Sequence, residues 1–168
     1  MATREIILMG DPFLRERSEE VPKTQIKTDA FQKLVADLIE TAKQNPEDGF
    51  ITAGLAAPQV GEHVRMFLVI KKGGSRRRPD YRVFINPQLE FQSTEMVESE
   101  ESCLSTPGFC GVVKRYREVK IAYLDENGEK KREKLSGEQA IFVQHENDHL
   151  DGILWVDRVV DSKSLRLC

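Results

Sequence analysis

The chain has 168 residues, enough for one domain with a substantial core and too few for two. Apolar side chains make up 39% of it and charged side chains 32%, a balance that excludes an intrinsically disordered chain. The net charge is −3 with acids and bases intermixed, which argues against a nucleic-acid binder. No apolar run approaches the roughly 20 residues of a transmembrane helix. We therefore expect a single domain over residues 1–168, with no specific DNA or membrane partner.

The cysteines and the N-terminus indicate a reducing compartment. The chain has three cysteines, Cys103, Cys110 and Cys168, and an odd number argues against a disulfide framework. The first residues lack the apolar stretch of a secretory signal. We expect a cytoplasmic protein in which Cys110, in its apolar surroundings, is a buried thiol.

The first half predicts one helix followed by strands. Apolar residues recur at helical spacing over residues 29–44, and Thr28 or Asp29 can cap the first turn. Runs of branched and aromatic side chains then predict strands at residues 64–71, 82–85 and 89–92.

Two features near this region concern the surface. The basic run at residues 76–78 lies between glycines and a proline, so we expect a solvated loop tip; contact with an anionic partner is the alternative. His63 lies just before the first strand, and we expect it at the surface.

The second half predicts a hairpin and a second helix. A strand at residues 112–123 and a return strand at 129–135 flank Asn127-Gly128, a pair that favours positive φ at both central positions. Ser136 and Gln139 have the spacing of a capping box, so the helix should begin there.

The second helix should end near Gly152, and residues 153–156 should return as a strand. The pattern as a whole predicts an α+β fold. We expect mostly antiparallel sheets around a central helix, with the first helix near the N-terminus.

The second helix carries the sequence H-E-N-D-H at residues 145–149, which matches the H-E-x-x-H pattern. Residues four apart lie on one face of a helix, so His145 and His149 can bind the same metal ion. Glu146 lies beside them and can act as an acid/base residue on a water held by that ion.

A hydrolytic metal site needs a third protein ligand and one open position. The metzincin pattern would place a histidine at position 155, where this chain has Trp155, and no glutamate follows Glu146. Cys103 is the best upstream candidate, since a thiolate with two imidazoles suits zinc or ferrous iron. Three later aspartates remain as alternatives: Asp151, Asp157 and Asp161.

Three motifs in order resemble those of the bacterial-type peptide deformylases. They are T-A-G-L-A-A-P-Q at residues 52–59, E-S-C-L-S at 101–105 and Q-H-E-N-D-H-L at 144–150. The resemblance extends over about residues 5–160. Thr52 and Ser102 stand where the family has glycine; they leave the candidate ligands unchanged and bear on the substrate groove.

The resemblance implies an enzyme that removes the N-formyl group from nascent polypeptides beginning with formyl-methionine and releases formate. It implies metal ligation by Cys103, His145 and His149, a metal-activated water as nucleophile, and Glu146 as general base and acid. The side-chain amide of Gln59 and the backbone N–H of Leu104 would stabilise the developing oxyanion.

The resemblance also implies how the substrate binds and which metal is used. Gly54 would let an extended peptide approach as an added strand, and Ala53, Ile141 and Phe142 are candidates for the methionine pocket. The metal would be ferrous iron in cells, with zinc, nickel or cobalt able to substitute. The ribosome is a transient partner to consider.

Three other hypotheses compete with a working deformylase. A zinc endopeptidase could use the same H-E-x-x-H pattern without Cys103. A non-catalytic domain could hold a structural metal, although a closed site has no need of Glu146. A deformylase-like protein impaired by Thr52 and Ser102 is the third.

Overall fold

A computed structural model of the chain describes residues 2–45, 52–73 and 79–168. The basic run at 76–78 lies outside the described residues. The helices are α1 (Asp29–Gln44) and α2 (Glu138–Leu150). The strands are β1 (Gly54–Ala56), β2 (Met66–Ile70), β3 (Tyr81–Gln92), β4 (Met96–Glu101), β5 (Phe109–Tyr116), β6 (Glu118–Leu124), β7 (Lys130–Ser136) and β8 (Arg166–Leu167).

The strands form two antiparallel sheets with the second helix between them. The larger sheet has the order β1-β2-β3-β6-β7, and the smaller has the order β4-β5-β8. Helix α2 contacts β1, β2 and β7 of the larger sheet and β5 of the smaller one. The predicted α+β arrangement around a central helix is therefore confirmed. Neither described α-helix combines the length and the apolar character needed to cross a bilayer.

Helix α1 spans the predicted residues and packs on one face of the larger sheet. Thr28 Oγ1 accepts a hydrogen bond from the backbone N–H of Phe31 and so caps the first turn. Its apolar stripe, which includes Leu34 and Leu38, is buried with the side chains of β1, β2 and β3. A second apolar cluster lies under α2 and includes Phe67, Phe84 and Val143. The two clusters fix the sheet between the helices.

Strand β3 is one long strand, whereas the sequence predicts two. Asn86 interrupts the pattern with a φ of +50°, and the register with β6 shifts nearby. Its side-chain amide accepts a hydrogen bond from Val21 N–H at 2.8 Å and donates one to Val21 O at 2.9 Å. The side chain of Asn86 thus bonds to Val21 in the way that the backbone of a neighbouring strand would. The residues around Asn86 in the sequence do not predict this contact.

The predicted strand at 112–123 is two strands in different sheets. Strand β5 ends at Tyr116 and β6 begins at Glu118, with the change of sheet at Arg117. The side-chain amide of Gln144, on α2, donates to Tyr116 O and accepts from Tyr116 N–H, both at 2.9 Å. The helix therefore takes the place of a neighbouring strand where β5 ends.

The β6–β7 hairpin is confirmed, but its turn differs from the prediction. Gly128 has a φ of +74°, whereas Asn127 is not among the described residues with positive φ. Asp125 Oδ1 accepts hydrogen bonds from the N–H groups of Asn127 and Glu129, which holds a longer loop.

The start of α2 and the segment after it also differ from the predictions. Ser136 belongs to β7, and Gly137, with a φ of +59°, turns the chain into the helix without a side-chain cap. Gln139 instead donates to Ile70 O at 2.9 Å. The predicted strand at 153–156 is wrong, because a 3-10 turn, Trp155–Arg158, forms there.

Candidate metal centre

Cys103, His145 and His149 come together between the two sheets. One ligand atom from each lies within 4.8 Å of the other two, and Cys103 Sγ is 3.3 Å from His149 Nε2. In a tetrahedral site with bonds of about 2.0–2.3 Å, ligand atoms lie roughly 3.5 Å apart. The spacing and the donor set therefore fit one divalent cation with one thiolate and two imidazoles.

The local structure explains why these three residues meet. Helix α2 places the rings of His145 and His149 on one face, with centroids 5.1 Å apart. Cys103 lies two residues after β4 in a tight turn, where Thr106 donates its backbone N–H to Cys103 O at 2.8 Å. The smaller sheet thus brings the cysteine to the histidine face of the helix.

Glu101 and Arg115 orient the first of these histidines. Glu101 Oε2 lies 2.8 Å from His145 Nδ1, and both oxygens of Glu101 accept from Arg115 at 2.8 Å. Burial raises the pKa of Glu101, but the hydrogen bonds from Arg115 and His145 outweigh it and lower the pKa to about 2. At neutral pH an ionised carboxylate therefore faces Nδ1, which leaves Nε2 free to bind a metal.

The two histidines have opposite proton affinities. Burial alone lowers the pKa of His145, but the adjacent Cys103 and Glu101 raise it well above the usual value. Burial and the nearby charge of His145 lower the pKa of His149 well below it. The two imidazoles therefore differ in their surroundings: a Glu101 oxygen lies 2.8 Å from His145 Nδ1, and Cys103 Sγ lies 3.3 Å from His149 Nε2.

Gln59 borders the cluster on the side of β1. Its Oε1 accepts from Ala56 N–H at 2.9 Å. Its Nε2 lies 3.2 Å from Cys103 Sγ and 3.1 Å from Ser105 Oγ. Because the carbonyl end is held by the backbone, the donor end of the amide is fixed toward the cluster.

Glu146 extends from α2 toward β1. It is 5% exposed, and the space where a Cβ would stand at Gly54 is filled by its side chain. The carboxylate is therefore held between the candidate ligands and the strand β1. Among the described strands β1 pairs only with β2, so its other edge has no partner strand.

One cleft contains nearly all the residues singled out from the sequence. Its walls include Gly54, Gln59, Cys103, His145 and Glu146. The candidate residues of the methionine pocket, Ala53, Ile141 and Phe142, lie there too, as does Leu104, the second candidate oxyanion donor. Both the chemistry-bearing side chains and the apolar pocket candidates thus face one space.

The two departures from the motif glycines have different surroundings. Thr52 is buried; its hydroxyl donates to Asn45 O, and its carbonyl accepts from Tyr81 OH at 2.9 Å. Ser102 lines the cleft beside Cys103. Thr52 therefore anchors the chain before β1, and only Ser102 reaches the groove.

The alternative ligands from the sequence are engaged elsewhere. Asp151 pairs with Arg65, and Asp157 pairs with Arg15. Asp161 accepts from the N–H of Lys163. None of the three belongs to the cluster found among the described residues.

His63 lies at the surface, as predicted, but is partly covered. Its side chain is 28% exposed, and the centroid of its ring lies 3.7 Å from that of Phe13. Phe13 therefore shields one face of the ring from solvent.

Sequence reasoning missed the polar residues behind the ligands. The buried Asp148 contacts both Arg115 and Arg158. Asp148 stands inside the H-E-N-D-H segment, but a variable position of that pattern carries no signal of its own. Arg115 is one arginine in an ordinary strand sequence, and only the fold brings it to Glu101.

Comparisons with known proteins show the family of the chain. The sequence profile of the family described as polypeptide deformylase matches residues 3–165. A peptide deformylase of Rhodopseudomonas palustris is 41% identical over 162 residues, covering 95% of this chain and 87% of that protein.

Solved structures give the same result. The crystal structure of the Thermotoga maritima peptide deformylase has a TM-score of 0.83 and 35% identity, covering 96% of this chain and 100% of that one. The Met-Ala-Ser-bound structure of the Acinetobacter baumannii enzyme has a TM-score of 0.85 and 30% identity, with 94% and 99% covered. The chain belongs to the polypeptide deformylase family, the metal-dependent hydrolases that remove the N-formyl group from nascent polypeptides.

Proposed function

We propose that Cys103, His145 and His149 hold the metal ion of this deformylase and that Glu146 is its general base and acid. The observation that carries the proposal is the convergence of the three ligand atoms within 4.8 Å, in a cleft that Glu146 also lines. When bound, a divalent cation supplies an acidified water and polarises the formyl carbonyl. One thiolate with two imidazoles suits ferrous iron or zinc. We propose ferrous iron in cells, with zinc, nickel or cobalt as substitutes.

Glu146 moves the protons of the reaction. Its carboxylate takes a proton from the attacking water and delivers it to the amine that leaves with the peptide. Its position supports this role, because packing against Gly54 holds the carboxylate in the cleft that Cys103 and His145 also line.

Gln59 and Leu104 supply the oxyanion donors. The amide of Gln59 is oriented by Ala56 N–H, so Nε2 is fixed on the cleft side without reorganisation during the reaction. The backbone N–H of Leu104 comes directly after Cys103 in the turn. Both donors therefore border the position of the metal.

The free edge of β1 supports binding of an extended formyl-peptide. A peptide that adds to this edge at Gly54 brings its first carbonyl next to Glu146. The methionine side chain would lie among Ala53, Ile141 and Phe142. The Met-Ala-Ser in the Acinetobacter structure supports a substrate of this kind.

The substrate indicates the setting of the reaction. Formyl-methionine marks newly made chains, so the enzyme would act on peptides emerging from the ribosome, with transient ribosome contact and in the bacterial cytoplasm. The bacterial relatives support this placement.

The test uses formate release from formyl-Met-Ala-Ser by iron- and zinc-loaded protein. We expect Glu146→Gln to retain the metal and to lose activity by several orders of magnitude, whereas Glu138→Gln, an exposed residue of the same helix, stays active. An unchanged rate in Glu146→Gln would exclude the proposed mechanism.

Cys103→Ala separates this site from a zinc endopeptidase. We expect metal content to collapse in that variant, whereas an endopeptidase site without the cysteine would keep its zinc and cleave unformylated peptides. A wild-type protein that binds metal but releases no formate would instead indicate an impaired deformylase or a structural metal site.

A further inference from the structure

The 3-10 turn that follows α2 carries two side chains, each of which contacts a residue connected by hydrogen bonds to a candidate ligand. The turn comprises Trp155–Arg158 and is itself held in place. The carboxylate of Asp157 accepts from Leu154 N–H at 2.8 Å and pairs with Arg15 on the N-terminal side of the molecule. Asp157 therefore holds the turn in place. The first and last residues of the turn, Trp155 and Arg158, point away from it and contact other segments.

Arg158 leads to His145 through a chain of ion pairs. It donates through Nε and Nη2 to the buried carboxylate of Asp148, the second bond at 2.7 Å. Asp148 also accepts from Arg115, which holds both oxygens of Glu101. Glu101 in turn lies 2.8 Å from His145 Nδ1.

Arg158 supplies the second guanidinium group of this chain of ion pairs. Two carboxylates, Glu101 and Asp148, face two guanidinium groups, Arg115 and Arg158, and all except Arg158 are nearly buried. Without Arg158, the single guanidinium of Arg115 would have to serve two buried carboxylates. Glu101 would then be held less firmly against His145.

Trp155 is connected to Cys103 by a separate set of hydrogen bonds. Its Nε1 donates to Thr106 Oγ1 at 2.9 Å, and Thr106 bonds to Cys103 O through both its backbone N–H and its hydroxyl. The indole is 1% exposed and packs in one cluster with Cys103 and Val113. The same turn therefore reaches a second candidate ligand from another direction.

The space for this indole depends on a glycine in β5. A Cβ at Gly111 would stand 2.9 Å from Trp155 Cζ3. Neither Trp155 nor Arg158 is among the residues that line the cleft. Their influence should therefore fall on the metal ligands and not on the peptide groove.

We propose that the turn Trp155–Arg158 is a positioning element that fixes the geometry of two metal ligands at once, His145 through Arg158 and Cys103 through Trp155. The inference rests on the ligand assignment proposed above. Residues that support metal ligands from behind typically change metal affinity by about 10- to 100-fold when they are removed.

The test measures cobalt(II) affinity by competition with a chelator, the visible spectrum of the cobalt form, and the unfolding midpoint with and without metal. Arg158→Gln and Trp155→Phe should each weaken cobalt binding by about 10-fold or more and alter the spectrum. KM for formyl-Met-Ala-Ser should stay within about twofold, because the groove is untouched. Arg158→Lys should recover part of the affinity, since it restores the charge but not the paired hydrogen bonds.

Arg117→Gln is the matched control, because Arg117 forms an exposed ion pair with Glu95 and does not line the cleft. It should match the wild type in every measurement. Equal loss of unfolding midpoint in the metal-free and loaded forms, with unchanged cobalt affinity and spectrum in both Arg158→Gln and Trp155→Phe, would overturn the proposal. Failure of the wild type to bind cobalt would overturn the ligand assignment itself, which is a different result.

Discussion

Gly54 and Glu146 lie so close together that a Cβ atom at position 54 would stand 2.4 Å from Glu146 Oε1 and 2.8 Å from Cγ. Real Cβ atoms do not approach other atoms to this distance, so any side chain at position 54 must displace the carboxylate. The glycine of β1 thus has a structural role that is separate from the peptide binding proposed for it. It reserves the space in which Glu146 is held.

The first prediction concerns this contact. Gly54→Ala should lower kcat/KM for formyl-Met-Ala-Ser by about 100-fold or more, because misplacing a group by about 1 Å costs that much. The metal content and the unfolding midpoint should change little, since the displaced group is neither a ligand nor a core side chain. A variant with normal activity would show that Glu146 can act from another position.

The second prediction concerns the fixed amide of Gln59. In Gln59→Glu one carboxylate oxygen can still accept from Ala56 N–H, but the other replaces the donor that faces Cys103. We expect kcat to fall by about 100- to 1,000-fold, as for the loss of one oxyanion donor. Gln25→Glu, in an exposed turn, is the control. If both variants turn over alike, the donor role is wrong.

The third prediction concerns acid stability and Glu101. Its pKa falls from 4.5 to about 2 in the folded protein, because the bonds from Arg115 and His145 outweigh the opposing effect of burial. A group whose pKa is lower in the folded state stabilises the fold above pH 4.5, and this stabilisation is lost as pH falls toward 2. The free energy of unfolding should decline by up to about 1.4 kcal/mol per pH unit from this one group.

Urea titrations of metal-free protein between about pH 5 and pH 3 measure this slope. Glu101→Gln should be less stable at the upper end but should show a shallower decline, because the amide does not titrate. Glu95→Gln removes an exposed carboxylate paired with Arg117 and should retain the wild-type slope. Equal slopes in Glu101→Gln and the wild type would contradict the assignment.

The fourth prediction compares two glycines with positive φ. Gly152 has a φ of +72°, and a Cβ there would stand 2.4 Å from Arg15 O. Gly73 has a φ of +80°, and among the described residues no atom lies within 4 Å of the place where its Cβ would stand. Alanine at position 73 should cost only about 1–2 kcal/mol of conformational strain. Gly152→Ala should cost more, by a further 1–3 kcal/mol or so, since backbone must also move. Similar unfolding free energies for the two variants would show that the segment after α2 adapts freely.

The sequence predicted the parts of the fold that depend on local periodicity. Helix α1, its cap at Thr28 and the two histidines of α2 all follow from spacing within one element. For the third candidate ligand, the lack of a histidine or glutamate after His149 favoured Cys103, while three later aspartates stayed open. The preference of zinc and ferrous iron for a thiolate with two imidazoles thus made up for not knowing which residues meet in the fold.

Three of the errors lie where distant residues decide the local structure. Gln144 ends β5 by bonding to Tyr116, and Asn86 carries β3 through its irregular step by bonding to Val21. Trp155 turns inward to Thr106 instead of continuing a strand. In each case a side chain satisfies a backbone or hydroxyl group far away in sequence, so no window of neighbouring residues contains the information.

Helix α2 lies in the interior with Glu146, Asp148 and both candidate histidines buried, at positions that other interior helices give to leucine or valine. The protein therefore gives up hydrophobic stabilisation in its centre in exchange for reactivity. We expect that a variant of this chain selected only for resistance to heat would accumulate apolar replacements along this helix. Such a protein would unfold at a higher temperature but would have lost its catalytic activity.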